Sequence, residues 1–185
     1  LLSDRFKFKA GMAAATVLGA IALAAPGSAS AVCSSGGLTP SEENVCAPTA
    51  KARLLPSGQL VPPESAPPKV KAVIAAANKI RTKPYIFGGG HAHWWDRGYD
   101  CSGSVSFALH GGEFLESPLP SGPLEKWGLP GEGRWISVYA NAGHAYAVIA
   151  GFRWDTAGDA NGTGPRWHEE LLSNEGFIAR HPPGY

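Results

Sequence analysis

The stretch Tyr99-Asp100-Cys101-Ser102-Gly103 sets a cysteine at the head of an apolar helical run. Asp100 is a favourable N-cap, because its carboxylate can accept from backbone N–H groups that the first helical turn leaves unpaired. Val105, Phe107, Ala108 and Leu109 supply an apolar face, and Gly111-Gly112 ends the helix. Cys101 is therefore expected in the first turn, where the positive end of the helix dipole favours a thiolate.

Upstream, Tyr85-Ile86-Phe87-Gly88-Gly89-Gly90 lets the backbone approach a neighbour closely. A phosphate loop would need a Lys-Ser/Thr pair that is missing. Val70, Val73, Ile74, Ala77 and Ile80 recur at helical spacing after Pro67-Pro68, and Pro84 limits that helix. The loop from His91 to Tyr99 carries Trp94, Trp95, Asp96 and Arg97, a mixture suited to lining a cleft or to packing on a surface.

Downstream, prolines and glycines make 113–133 a long loop, with Leu115, Leu119, Leu124 and Trp127 as anchors. Trp135–Ala140, His144–Ala150 and Phe152–Thr156 read as three strands of an antiparallel meander, and 176–180 as a final short strand. Helices followed by a meander make an α+β domain.

The chain has 185 residues, a formal net charge of +1 and three cysteines. That charge gives no basic field for nucleic acid, so none is expected as a partner. Arg5, Lys7 and Lys9 precede an apolar run from Met12 to Ala25 and a small-residue site ending at Ala31, the pattern of a secretory signal peptide over 1–31. The run is shorter than the roughly 20 apolar residues a membrane span needs, and Val32 stands where a lipoprotein signal needs a small residue. No stable membrane anchor is expected. Residues 32–68 are rich in Pro, Ser and Gly and read as a linker, leaving 69–185 as the domain. In an oxidising compartment Cys33 and Cys46 can close a loop, and Cys101 is left over.

An activated cysteine needs a base, and His144, opening an apolar strand after a turn, is best placed of the six histidines. His91 and His93 lie in a loop, His110 at a helix end, where it complements the dipole, and His168 and His181 near the tail. If Ala150-Gly151 form a two-residue turn, Tyr146 lies opposite Asp155, and Asp155 shares the face of His144; a three-residue loop presents Thr156 instead. A carboxylate also raises imidazole basicity, which favours Asp155 as the orienting partner. Backbone N–H groups at the helix start could hold an oxyanion. A zinc site from His91, His93 and Cys101 is a remoter alternative.

Pro84-Tyr85-Ile86-Phe87-Gly88-Gly89, Asp100-Cys101-Ser102-Gly103-Ser104-Val105 and Gly143-His144 together resemble the NlpC family of bacterial cell-wall cysteine endopeptidases. The resemblance runs from about Val70 to the C-terminus. It implies a papain-like fold, with the nucleophile at a helix start packed on the meander. It also implies hydrolysis of peptidoglycan stem peptides, typically between D-glutamate and a diamino acid, with no metal or organic cofactor. Cys101 would be the nucleophile and His144 the base, and at the third position this sequence offers Asp155, favoured by the register argument, or Thr156. Tyr85 falls on the family's tyrosine beside the cysteine, and Ser102, Trp94 and Trp95 join it as expected substrate contacts. The family's third position is often histidine, the segment between Gly90 and Asp100 is longer here, and Ser104 replaces a larger apolar residue. A secreted monomer is expected. An amidase or acyltransferase of the same fold, or a wall-binding protein without turnover, are the competing readings.

Overall fold

The computed structural model describes residues 51–158 and 163–185. These belong to one compact unit. The expected export signal and the Cys33–Cys46 pair lie outside the described residues.

Order begins earlier than the sequence suggested. Strands β1 (Arg53–Leu54) and β2 (Leu60–Val61) form an antiparallel hairpin. Ala52, Leu60 and Ala66 are buried in the core. The Asn78 side chain accepts from the Leu60 N–H at 3.0 Å and donates to the Leu60 carbonyl at 2.9 Å, riveting the hairpin to the next helix. The part of the supposed linker from 51 to 67 is thus folded. Strands this short carry no readable alternation, and the prolines flank them without interrupting the pairing.

Helix α1 (Pro68–Ile80) follows its apolar spacing, with Val70, Val73, Ile74, Ala77 and Ile80 wholly buried. Pro68 sits in its first turn, where the missing N–H has no helical partner to lose. Helix α2 (Cys101–Gly111) is buried at every residue from Cys101 to Leu109. It is therefore the central element, packed between α1 and the sheet.

The glycines upstream have a definite neighbour. A Cβ on Gly103 would stand 2.1 Å from the Gly89 carbonyl oxygen, so the glycine segment lies directly on the first turn of α2. Gly103→Ala is expected to force these backbones apart at about 1–3 kcal/mol, the usual range for overpacking. A denaturation midpoint unchanged by the substitution would contradict that contact.

Within 113–133 lie a one-turn helix α3 (Ser121–Leu124) and a short strand β3 (Leu129–Pro130), neither of which the sequence pattern separated from loop. Strands β4 (Ile136–Ala140), β5 (Ala145–Ile149), β6 (Phe152–Asp155) and β7 (Arg166–His168) form the meander, one strand longer than expected. Strand β8 (Ile178–His181) returns to the free edge of β4, and β3 pairs outside it, giving the order β3-β8-β4-β5-β6-β7, antiparallel throughout. The architecture is α+β.

Ala150 and Gly151, at φ 49° and 84°, make the two-residue turn between β5 and β6, which pairs Ile149 with Phe152. Alternation sends Ala145, Ala147, Ile149, Phe152 and Trp154 toward the helices and Tyr146, Arg153 and Asp155 to the other face. The buried Trp154 indole donates to the Ser104 carbonyl at 3.2 Å, fixing the sheet against the first turns of α2. Among the described residues no helix is long and apolar enough to cross a membrane.

Candidate active site

Asp100 organises the helix start. Its Oδ1 accepts from the Gly103 N–H at 2.7 Å, the N-cap bond expected from sequence, while Oδ2 accepts from the Gly88 N–H at 3.0 Å. One buried carboxylate thereby ties the glycine turn to α2. The Gly89 N–H donates to Ile86 at 2.9 Å and closes that turn. Tyr85 and Ile86 stay half exposed on it, and Phe87 is 90% exposed. Tyr85 is close enough to Cys101 to feel its charge: burial first, then the charges of Cys101 and Asp100, push the phenol above its ordinary value.

Cys101 opens α2, almost buried and unpaired with any other cysteine. Burial alone would raise its thiol. Hydrogen bonds from the His144 ring and the Ala145 N–H, with the charge on His144, outweigh burial and hold the thiol below its usual value. His144 is presented by a tight turn in which Asn141 Oδ1 accepts from the N–H groups of Gly143 and His144 at 3.0 and 2.9 Å. Its Nε2 lies 2.9 Å from Asp155 Oδ1, leaving Nδ1 for the thiol. Hydrogen bonds to Asp155 and to Cys101, with their charges, push His144 up to about 9 against the effect of burial.

Asp155 is 2% exposed. Burial would raise its carboxyl, but the bonds from His144 and from the Ala157 N–H, with the charges of His144 and Arg153, hold it below the usual carboxylate range. The two-residue turn gives Asp155, not Thr156, the position beside His144. Cys101, His144 and Asp155 thus form a continuous chain whose arrangement favours a thiolate beside an imidazolium. Such a pair can attack a carbonyl carbon and return a proton to the leaving group.

Three expected substrate contacts are elsewhere. Ser102 is 5% exposed. Its Oγ donates to Asp100 Oδ1 at 3.2 Å and lies 3.2 Å from His91 Nε2, so it serves the helix cap and is not open to a ligand. Trp94 stacks on His110 with ring centroids 3.8 Å apart. His110 is about two and a half helical turns beyond Cys101, on the far side of α2. Trp95 packs edge-on to Phe107, 5.1 Å between centroids, further along the same helix. The longer loop wraps α2 because its aromatic rings find a helix flank to cover.

His91 Nε2 contacts both Asp100 oxygens, at 3.0 and 3.1 Å, and so is committed to the cap. Among the described residues no three His, Cys, Asp or Glu side chains gather as a metal site, which corrects the zinc alternative. His110 holds the Leu115 carbonyl through Nδ1 at 2.9 Å, a structural duty at the helix end.

Arg153 completes the chain and was not singled out from sequence. It is 2% exposed and donates through NH1 to Asp155 Oδ2. The signal was present: Arg153 is two residues before Asp155, and period-2 alternation puts both on one face.

No family model matches the chain, and no curated protein matches it.

Proposed function

We propose that this protein is a secreted cysteine peptidase of the NlpC type, papain-like in fold, that hydrolyses amide bonds in peptidoglycan stem peptides. The observation that carries the proposal is the Cys101–His144–Asp155 chain, with the thiol lowered and the imidazole raised. The motifs around Cys101 and His144 supply the substrate class.

In this mechanism the Cys101 thiolate adds to the scissile carbonyl carbon, and the oxyanion is held by N–H groups at the start of α2. Collapse expels the amine, which takes the proton from His144 and leaves a thioester on Cys101. His144, now neutral, draws a proton from water as the water attacks. The acid is released and the thiolate–imidazolium pair restored. Asp155 keeps the ring oriented throughout. Tyr85, beside the thiol, lines the approach.

The test is mass analysis of purified muropeptides after incubation with the protein. Two fragments whose masses sum to the substrate plus one water are expected. The rate rises with pH through the lowered titration of Cys101 and falls as His144 loses its proton near pH 9. Muropeptides that remain intact across that window, while Cys101 is still readily alkylated, would leave a thiol enzyme with another acyl substrate. If Cys101 is also inert to alkylation near neutral pH, the non-catalytic wall-binding reading takes over.

A further inference from the structure

A buried guanidinium is costly unless it is paired, so one this close to a reacting pair invites a reason. Arg153 Nε donates to the Glu170 carbonyl at 3.1 Å, and NH1 donates to Asp155 Oδ2. Asp155 Oδ1 meanwhile accepts from His144 Nε2 at 2.9 Å and from the Ala157 N–H at 3.0 Å. Both carboxylate oxygens are engaged, and rotation about the Cβ–Cγ bond would break a buried, charge-assisted contact. Gly158 closes the other side: a Cβ there would stand 2.8 Å from Arg153 NH2.

We propose that Arg153 is a positioning residue of the site, fixing the Asp155 carboxylate with Oδ1 on His144 and balancing the charge of the chain. It rests on the reading of Cys101 and His144 as the reacting pair. Thiolate, imidazolium, carboxylate and guanidinium sum to zero. Without the guanidinium the same set carries one net negative charge in a site where Asp155 is buried and His144 only partly exposed, and takes up a proton at higher pH. Among the described residues the titratable and charged groups facing this chain are Tyr85 and Asp100 beside Cys101, Tyr146 from β5, and Arg166 and His168 from β7. His168 lies opposite Arg153 in register, and burial, the largest cause of its lowered titration and one that remains when Arg153 is replaced, keeps it from standing in for the missing cation.

The experiment follows alkylation of Cys101 against pH by peptide-level mass spectrometry, which separates it from Cys33 and Cys46 and needs no substrate. R153Q is expected to raise the midpoint by about one unit, so that at any pH below the midpoint Cys101 holds about tenfold less thiolate. In a D155N background the same replacement is expected to add a clearly smaller shift, because the positioning acts through Asp155 and only the through-space charge of Arg153 remains. R153K keeps the charge and loses the fork. It is expected to hold the midpoint near that of the wild type while weakening the downfield proton resonance of the His144–Asp155 hydrogen bond.

A folded R153Q protein with a lower melting temperature and an unchanged alkylation profile overturns the proposal, since Arg153 is then structural only. So does a full R153Q shift in the D155N background. Should R153Q fail to fold, R153K decides. A midpoint moved to that of a free thiol refutes the charge balance, and an undisturbed resonance refutes the positioning. Absence of muropeptide cleavage leaves each of these outcomes readable.

Discussion

Cys101→Ala is expected to remove muropeptide cleavage altogether, on the order of 10⁶-fold where a hydrolase loses its nucleophile, while the fold survives. The substitution trims one sulfur from the first turn of a helix, and alanine is the best helix former. Asp100 keeps its cap bond to Gly103, and His144 keeps Asp155. Circular dichroism and a melting curve close to wild type, beside empty product spectra, are the expected pair of results. The nearest rival nucleophile is Ser102, which also has a histidine and an aspartate at hand. In a working triad the base uses one ring nitrogen for the nucleophile and the other for the carboxylate. Ser102 Oγ and both Asp100 oxygens instead crowd the same atom, His91 Nε2, at 3.2, 3.0 and 3.1 Å. That cluster caps a helix, and the ring nitrogen that faces the serine is the one already held by the carboxylate. Cleavage persisting in the alanine variant would mean that the chemistry does not run through the start of α2.

How far the site could be read beforehand depends on which local rule governed each residue. Asp100 and Cys101 were legible because capping is written in adjacent residues. The pairing of His144 with Asp155 was legible because a two-residue turn fixes register, and register fixes faces. Arg153 obeys the same alternation but was passed over, since a charged strand residue reads as solvent-facing until a loop is known to cover it. Trp94 and Trp95 were misplaced for a different reason. Sequence gives their distance from Cys101 along the chain, whereas the rotation of α2 decides that the rings they touch, His110 and Phe107, point away from the thiol. The β1–β2 hairpin escaped because its anchor is a long-range pairing with Asn78, and no pattern within 51–67 announces it. Local rules thus reached the Cys101–His144–Asp155 chain, and tertiary packing set its surroundings.

Asp155→Ala is the substitution expected to damage stability most. It leaves Arg153, 2% exposed, without its carboxylate partner. Breaking a buried pair from one side typically costs about 3–5 kcal/mol, a large part of the roughly 5–15 kcal/mol that holds a domain folded. Denaturant melts at several pH values would separate this from simple loss of packing. The depressed carboxyl of Asp155 contributes stability that is fully present above its unfolded value of about 3.9 and is lost as pH falls through the folded one. Wild type and variant should therefore converge in acid. His144 works in the opposite sense: raised to about 9, its contribution is full below its unfolded value and fades as pH climbs through the folded one. The bond to Asp155 is the largest cause of that rise, so the alkaline decline of the wild type should flatten in the variant. Asp155→Asn, which keeps the shape and can still accept from one neighbour, is expected to fall between the two. An alanine variant within 1 kcal/mol of wild type near neutral pH, a loss no larger than that of an exposed ion pair, would mean that the buried chain contributes little to the fold. It would also remove the electrostatic reason for His144 to stay protonated beside the thiolate.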